Sequence, residues 1–504
     1  MYRKTAFIAL IVLVLAGGAS AQPANQGIRT LIVMFDGLRP DYITPETMPT
    51  LYSLKQRGSY VPANHSVYPT VTRVNASSYA TGSYPETHGI LGNTVYFPDV
   101  DRVKGLNTGE ASDLMRIAKA TNDKLLTAVS LGEVLQSIGK SMMVFSSGSS
   151  GQAMLQNHKV SGGGVVHPQL ILPASLEEEV HRAVGPPPPG GKPNKGQHEW
   201  VARAFLHFAS SDNAPLISAI WFSDPDGAAH TYGIGSPEAM ESIRIVDEQF
   251  GVVLKGLEER GLLEKYNVIV SADHGFATQK GKMSISKFLM EKGFKQSADS
   301  DDVVVAGNAI YVKNSDAAVI RKIVAALQEQ PWVGAIFTKP SGKGYAGQVE
   351  GTLSFDAVHW NHERSGDILV DYNWDDEVNQ FGYKGGSFAT GVAGHGGASP
   401  HEITIPLIAS GPSFKTSFES PLPSSNIDMV PTILHLYGID RPTSMQGRVL
   451  LELLAGTDKL PRAKKETLKT STKIAGGSYS LVVQRTKVGT QEYVDYAKAV
   501  RVTK

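Results

Sequence analysis

Among its 504 residues the chain has no cysteine. Disulfides, thiolate metal ligands and a lipid-modified cysteine are therefore excluded, although an exported protein could have carried disulfides. Stability has to come from core packing and bound metal. An excess of either charge is also missing, since 48 Lys and Arg balance 48 Asp and Glu. A neutral chain offers no broad basic field to nucleic acid or to an anionic membrane, so any recognition of anions is local. Long apolar runs are scarce too. The first, Ala6 to Ala16, follows Arg3 and Lys4 and precedes Ala19-Ser20-Ala21. It is shorter than the roughly 20 residues of a spanning helix, and its flanks have the pattern of a secretory signal peptide. The expectation is a signal over residues 1–21, cleavage after Ala21, no remaining membrane anchor, and a periplasmic or secreted product.

What is present is an alternation. Apolar runs recur at Thr30–Phe35, Lys140–Phe145, Leu216–Phe222, Val268–Ser271, Asp367–Asp371 and Ile403–Ser410, each reading as a buried strand. Helical patterns lie between them, at Glu46–Gln56, Ser130–Ile138, Glu199–Ala209, Pro237–Glu258 and Asp428–Tyr437. Strands alternating with helices imply an α/β domain built on a mainly parallel sheet flanked by helices. The Pro- and Gly-rich segment Gly185–Gly196 is a surface loop. Residues 278–385 differ in texture: a helix at Ser284–Lys292, strand-like Val303–Val312, a helix at Ala317–Glu329 and a Gly-rich run at Ser341–Gly351. They read as a smaller inserted α+β subdomain. The catalytic domain is then assigned to 22–277 and 386–460, with a β-rich tail over 461–504.

Ligands of open α/β sheets bind beyond the carboxyl ends of the strands. There the sequence places Asp36-Gly37, then Ser223-Asp224-Pro225-Asp226 with His230, then Asp273-His274-Gly275; Gly394-His395-Gly396-Gly397 lies before the strand at Ile403. An aspartate followed by glycine at a strand end is often only a turn residue, and the Asp226–His230 spacing alone is weak. The conjunction is stronger. Asp36, Asp226, Asp273, His230, His274 and His395 are oxygen and nitrogen donors suited to zinc-like divalent ions, and six groups fit two ions. Adjacent ions of that kind clamp the attacking and leaving oxygens of phosphoryl transfer. A threonine hydroxyl needs a base or a metal to act as nucleophile. Thr72 precedes the small residues Asn75–Thr81, which can begin a helix whose amino terminus favours phosphate. Thr70, on the extended approach, shapes the turn.

Together Asp36, the PTVT segment, TGSYPETHGILGN, SDPDGAAH, SADHG and GHGG resemble the alkaline phosphatase superfamily, and within it the type I phosphodiesterase/nucleotide pyrophosphatase family. The motifs span residues 30–450. The resemblance implies an alkaline-phosphatase-like fold and a phosphothreonine at Thr72. It also implies that Asn93 lies beside the transferred group, that one zinc is held by Asp226, His230 and His395, and that the other is held by Asp36, Asp273, His274 and the Thr72 oxygen. The expected partner is a small phosphate ester, a nucleotide or another diester. One departure stands out: where the family has F-P-N-H after the nucleophile, this chain has Arg73-Val74-Asn75-Ala76. The expected aromatic contact to a nucleobase is missing from this pattern, and Arg73 is either a bidentate contact to substrate oxygens or a surface arginine at a helix start. The bidentate contact suits a phosphomonoester or a phosphonate, the alternative within the superfamily; the other alternative is a metal-bound, non-catalytic protein. His88, His65, His359, His362 and His401 read as ordinary polar or packing residues, and Asp224 as a group that orients the ligands.

Overall fold

The computed structural model describes residues 27–457 and 460–503, so the expected signal peptide lies outside the described residues. The main sheet contains β1 (Arg29–Phe35), β2 (Ser59–His65), β3 (Met142–Ser146), β4 (Gly164–His167), β5 (Leu170–Leu172), β6 (Ile217–Phe222), β7 (Tyr266–Ala272) and β8 (Thr404–Ser410). Their order is β2-β8-β7-β1-β6-β3-β4-β5, with short strands Phe418–Glu419 and Ser424–Ser425 beside β2. β7, β1, β6, β3 and β4 run parallel, whereas β8 is antiparallel to both β7 and β2. The expected mainly parallel α/β sheet is therefore present.

Both faces of this sheet are covered, which is why its strands read as continuous apolar runs. Successive residues of a strand point to opposite faces. Leu31, Val33 and Phe35 join one core with the helices Lys195–Ala209 and Pro237–Glu259, while Ile32 and Met34 join another with Ala76, Tyr79 and the helix Met429–Leu436.

The register of the central strands positions the site. Phe35 of β1 is level with Phe222 of β6 and with Ala272 of β7. The next residues, Asp36, Ser223 and Asp273, therefore leave the sheet side by side. From β7 the chain passes into a four-stranded sheet in the order Trp374–Val378, Lys384–Thr390, Ala277–Gly281, Ala393–Gly394. This sheet straddles both expected boundaries of the insertion, and it delivers His395 directly from its last strand.

Inside the insertion, Val303–Val312 is a hairpin rather than one strand. Val303–Ala306 pairs antiparallel with Ala309–Val312 through Gly307, whose φ of +58° is favourable for glycine. The segment at Asp367–Asp371 belongs to this smaller five-stranded sheet, as Ile368–Tyr372, and not to the main one. The tail forms three long antiparallel strands, Ala463–Ile474, Gly477–Val488 and Gln491–Thr503. Its Tyr479, Leu481 and Val483 share a core with Ile310, Phe337 and Val370 of the insertion. Leu481 is fully buried there, so Leu481→Ala should cost about 3 kcal/mol by cavity formation. Urea unfolding of the full chain measures this; a cost under about 0.5 kcal/mol would mean the tail is not packed on the insertion.

Candidate active site

Helix α1 (Thr72–Thr81) begins at Thr72, with Val71 extended before it. The first-turn N–H groups of a helix have no intrahelical acceptor; that of Arg73 is taken by the Asn93 side-chain oxygen at 3.0 Å. This bond leaves the Asn93 amide N–H groups available next to Thr72. Asn75, fully buried, fixes the approach: its oxygen accepts from Val67 N at 2.8 Å and from Asn426 Nδ2 at 3.1 Å.

Around His274, the one ligand-type residue in contact with the Thr72 hydroxyl, Asp36, Asp273, Asp226 and His395 gather, and His230 joins them through Asp226. Thr72 Oγ1 lies 3.2 Å from His274 Nε2. That nitrogen is also 3.1 Å from Asp273 Oδ2, 3.5 Å from Asp36 Oδ1 and 4.0 Å from Asp226 Oδ1. Asp226, the first residue of helix α2 (Asp226–Tyr232), sets its Oδ1 3.2 Å from His230 Nε2 one turn later and 3.3 Å from His395 Nε2. The Asp226–His230 spacing thus acts as the helical i,i+4 pair that it suggested. Two donor groups close to within 4.8 Å internally, Asp36/Asp273/His274 and Asp226/His274/His395, with His274 common to both.

The chemistry of these donors fits a cation. Asp36 Oδ1, Asp226 Oδ1 and Asp273 Oδ2 are buried and have no hydrogen-bond partner. Each imidazole commits Nδ1 to a backbone carbonyl: His230 to Ala393 at 2.9 Å, His274 to Gly275 at 3.0 Å, His395 to Thr70 at 2.8 Å. A donating Nδ1–H leaves a lone pair on Nε2, so three lone pairs face three carboxylate oxygens. That arrangement is repulsive until positive charge enters it, and it is the ligand tautomer of metal-binding histidines. Burial, then the charges of Asp273 and Asp226, hold the Asp36 carboxyl well above the usual range. Burial and His274 push His395 down to about 4. Burial opposes ionisation of Asp226 as well, but positive charge on His230 and His395, the role a bound cation would take over, outweighs it and holds that carboxyl well below its ordinary value.

Several supporting groups had no signal as individual motifs. Trp221, in the middle of an apolar strand, donates Nε1–H to Asp36 Oδ2 at 3.0 Å; the clue was that a buried indole needs an acceptor. Gly37 N and His274 N both donate to Asp273 Oδ1 at 3.0 Å. Gly37 has a φ of +74°, and a Cβ there would stand 2.8 Å from the Phe276 ring. Thr70 does more than shape a turn, because its hydroxyl donates to Gly397 O at 2.7 Å and accepts from Gly396 N at 3.1 Å. It ties the His395 loop to the approach of α1. Asp224 contacts none of the clustered donors directly. Fully buried, it accepts from His198 Nε2 at 2.9 Å and Asn194 N at 2.7 Å, while His198 Nδ1 meets Ser147 Oγ at 2.9 Å. This Ser-His-Asp chain is sealed from solvent and fixes the turn that carries Asp226.

Arg73 turns away over Gly109, where a Cβ would stand 2.4 Å from its Nη2. Its Nε is buried without a partner, and its guanidinium makes no hydrogen bond or ion pair with a described residue. His88 bonds Ser78 Oγ at 2.9 Å and Ile90 N at 3.1 Å, a packing role.

Residues 30–380 match the family model described as type I phosphodiesterase/nucleotide pyrophosphatase. Curated relatives include the mouse ectonucleotide pyrophosphatase/phosphodiesterase family member 1, 26% identical over 52% of this chain and 25% of its own length. A bis(5'-adenosyl)-triphosphatase of Xenopus laevis is 26% identical over 51% of this chain and 49% of its own. The chain thus spans a quarter to about half of the length of the relatives it matches. Among solved structures, murine ectonucleotide pyrophosphatase/phosphodiesterase 5, in an inactive form in complex with AMP, is similar with a TM-score of 0.60. That match has 18% identity and covers 85% of this chain and all of the other.

The role given to Asp224 is testable. Asp224→Ala strands His198 and the Asn194 N–H in the interior, at a cost of about 3 kcal/mol. By loosening the Asp226 turn it should weaken any binding of a divalent metal at the clustered donors about 10- to 100-fold. Denaturant melts and zinc titration read the two effects; unchanged metal affinity would show that Asp224 only stabilises the fold.

Proposed function

The chain belongs to the type I phosphodiesterase/nucleotide pyrophosphatase family, and from that premise we propose a secreted two-zinc hydrolase that cleaves phosphodiester or pyrophosphate bonds through a phosphothreonine. The observation that carries this reading is the Thr72 hydroxyl, 3.2 Å from His274 Nε2, among three buried carboxylate oxygens without hydrogen-bond partners. Asp226, His230 and His395 would hold one ion, and Asp36, Asp273, His274 and the Thr72 oxygen the other. When bound, zinc supplies Lewis-acid stabilisation of the attacking and leaving oxygens. Among the described residues no helix is long and apolar enough to cross a membrane.

The residues of this chain divide the remaining work. Thr72 Oγ forms the new bond to phosphorus as the bond to the leaving oxygen breaks, releasing an alcohol or a phosphate. Water then displaces Thr72, restoring its hydroxyl and releasing the phosphoryl product. The Asn93 amide and the unpaired first-turn N–H groups of α1 donate to a non-bridging oxygen, positioned in advance of the charge that develops there. The His395 loop, held by Thr70, and the Asp226 turn, held by Asp224, keep the donors in place without rearrangement.

One observation favours a second reading. Arg73 follows Thr72 in the chain, and its guanidinium, which lies over Gly109 with Nε unpartnered, would suit bidentate contact with a doubly charged phosphoryl group if it swung toward Thr72. A phosphomonoesterase or phosphonate hydrolase of the same superfamily would use it in that way.

Thr72→Ala should abolish turnover while secondary structure and zinc content persist. Near wild-type activity in that variant would show that the nucleophile is misassigned. A chelator should inactivate the enzyme, and added zinc should restore it. A bis-aryl phosphate compared with a mono-aryl phosphate separates the two readings, because the diesterase reading requires the higher kcat/KM for the diester. If the monoester is preferred instead, Arg73→Ala should reduce that preference by about 10- to 100-fold, the loss of one charge-assisted bidentate contact.

A further inference from the structure

Behind His395 lies a second pair of acids that the phosphoryl-transfer site does not use. Asp371 stands in the strand Ile368–Tyr372 of the insertion, and Glu402 lies just before β8. Asp371 is fully buried and Glu402 is 3% exposed. Both bind the backbone of the His395 loop: Asp371 Oδ2 accepts from Ala398 N at 2.9 Å, and Glu402 Oε1 accepts from Gly397 N at 2.9 Å. Glu402 Oε2 also accepts from Ser399 Oγ at 2.5 Å. Asp371 Oδ1 has no partner.

The free oxygen and both oxygens of Glu402 close on the same place. A Cβ on Gly397 would stand 3.1 Å from Asp371 Oδ1 and 2.8 and 3.0 Å from Glu402 Oε2 and Oε1. Glycine at 397 is what lets two carboxylates come together there. Neither acid forms an ion pair with a described lysine or arginine. The nearby Tyr68 hydroxyl is likewise buried without a partner. Beside the pair is a cavity of about 200 Å³, lined among others by Gln279, Asn308, Asp371, Ser387 and Glu402 and, on the side of the clustered donors, by His395. Two buried carboxylates faced by no lysine or arginine, with only the His274 imidazole acting on Glu402, are costly unless a cation joins them.

We infer that Asp371 and Glu402 form a binding site for a hard divalent cation of the calcium type, separate from the clustered donors around Thr72. The donors are carboxylate, amide and hydroxyl oxygens, the set calcium takes in numbers of six to eight with flexible geometry. No thiolate is available, and the imidazole that lines the cavity, His395, belongs to the cluster around Thr72. Bound there, the cation would tie the insertion strand to the loop Gly396–Ser399 and so brace His395 from behind.

The test uses the full, zinc-loaded chain. Equilibrium binding of radioactive calcium should find one calcium per chain, and calcium at about 1 mM should raise the thermal midpoint by about 5 °C. Asp371→Asn keeps an acceptor for Ala398 N and should lose both the calcium and the shift while retaining its zinc. Glu402→Gln serves the same purpose if Asp371→Asn does not fold. The inference is overturned if the wild type binds no calcium, or if the variant binds it equally well. It is also overturned if Asp371→Asn raises the midpoint with no calcium effect in either protein, the behaviour of a pair that shares a proton. None of these readouts depends on turnover by Thr72.

Discussion

Three buried carboxylate oxygens and three imidazole lone pairs face one another at the carboxyl end of the main sheet, and most of the surrounding structure exists to hold them there. No folded chain gathers such groups for its own stability, because burial penalises each charge and like charges penalise one another. The arrangement gains from a cation, and it persists because the scaffold is rigid. The parallel register of β1, β6 and β7 brings Asp36 and Asp273 level and sets the turn to Asp226 beside Asp36, on the side away from Asp273. A one-residue slip in that register would turn each strand's core face to the other side.

The groups that hold the ligands are themselves polar and buried, and each is satisfied. Trp221 and Gly37 fix Asp36 and Asp273; His198, Asn194 and Asp224 fix the turn of Asp226; Thr70 fixes the loop of His395. Buried atoms without partners do occur where a ligand would enter, at the donor cluster, at Arg73 and at Asp371, as well as at sites elsewhere such as Tyr42, Gln152 and Ser218. Satisfied supports around unsatisfied donors are the physical signature of a preorganised site.

Much of this was legible in the chain itself. The doubly covered sheet shows in uninterrupted apolar runs such as TLIVMF, and the strand-end rule points to Asp36, Asp226 and Asp273. Short-range chemistry was also readable, including the Asp226–His230 helical pair and the start of a helix at Thr72. Less legible were partners distant in sequence. Trp221 lies 185 residues from Asp36, and Thr70 lies 325 from His395. Nothing local distinguishes their roles, since a buried indole or a threonine before a helix has many possible acceptors. The strand Ser59–His65 was missed because its second half, Pro62-Ala63-Asn64-His65, lacks the β-branched run of the others.

The sequence by itself determined the α/β class, the helical and strand periods that build it, the donor types at the strand ends and the hydroxyl at the head of α1. These depend on residue chemistry and on spacings of a few residues, which local backbone geometry converts directly into position. Only the tertiary structure decided that His274 lies between the two donor groups, that the tail shares a core with the insertion, and that Asp371 and Glu402 meet behind His395. Those are contacts across tens to hundreds of residues. They are set by sheet order, register and the room left by Gly397, none of which the one-dimensional pattern fixes.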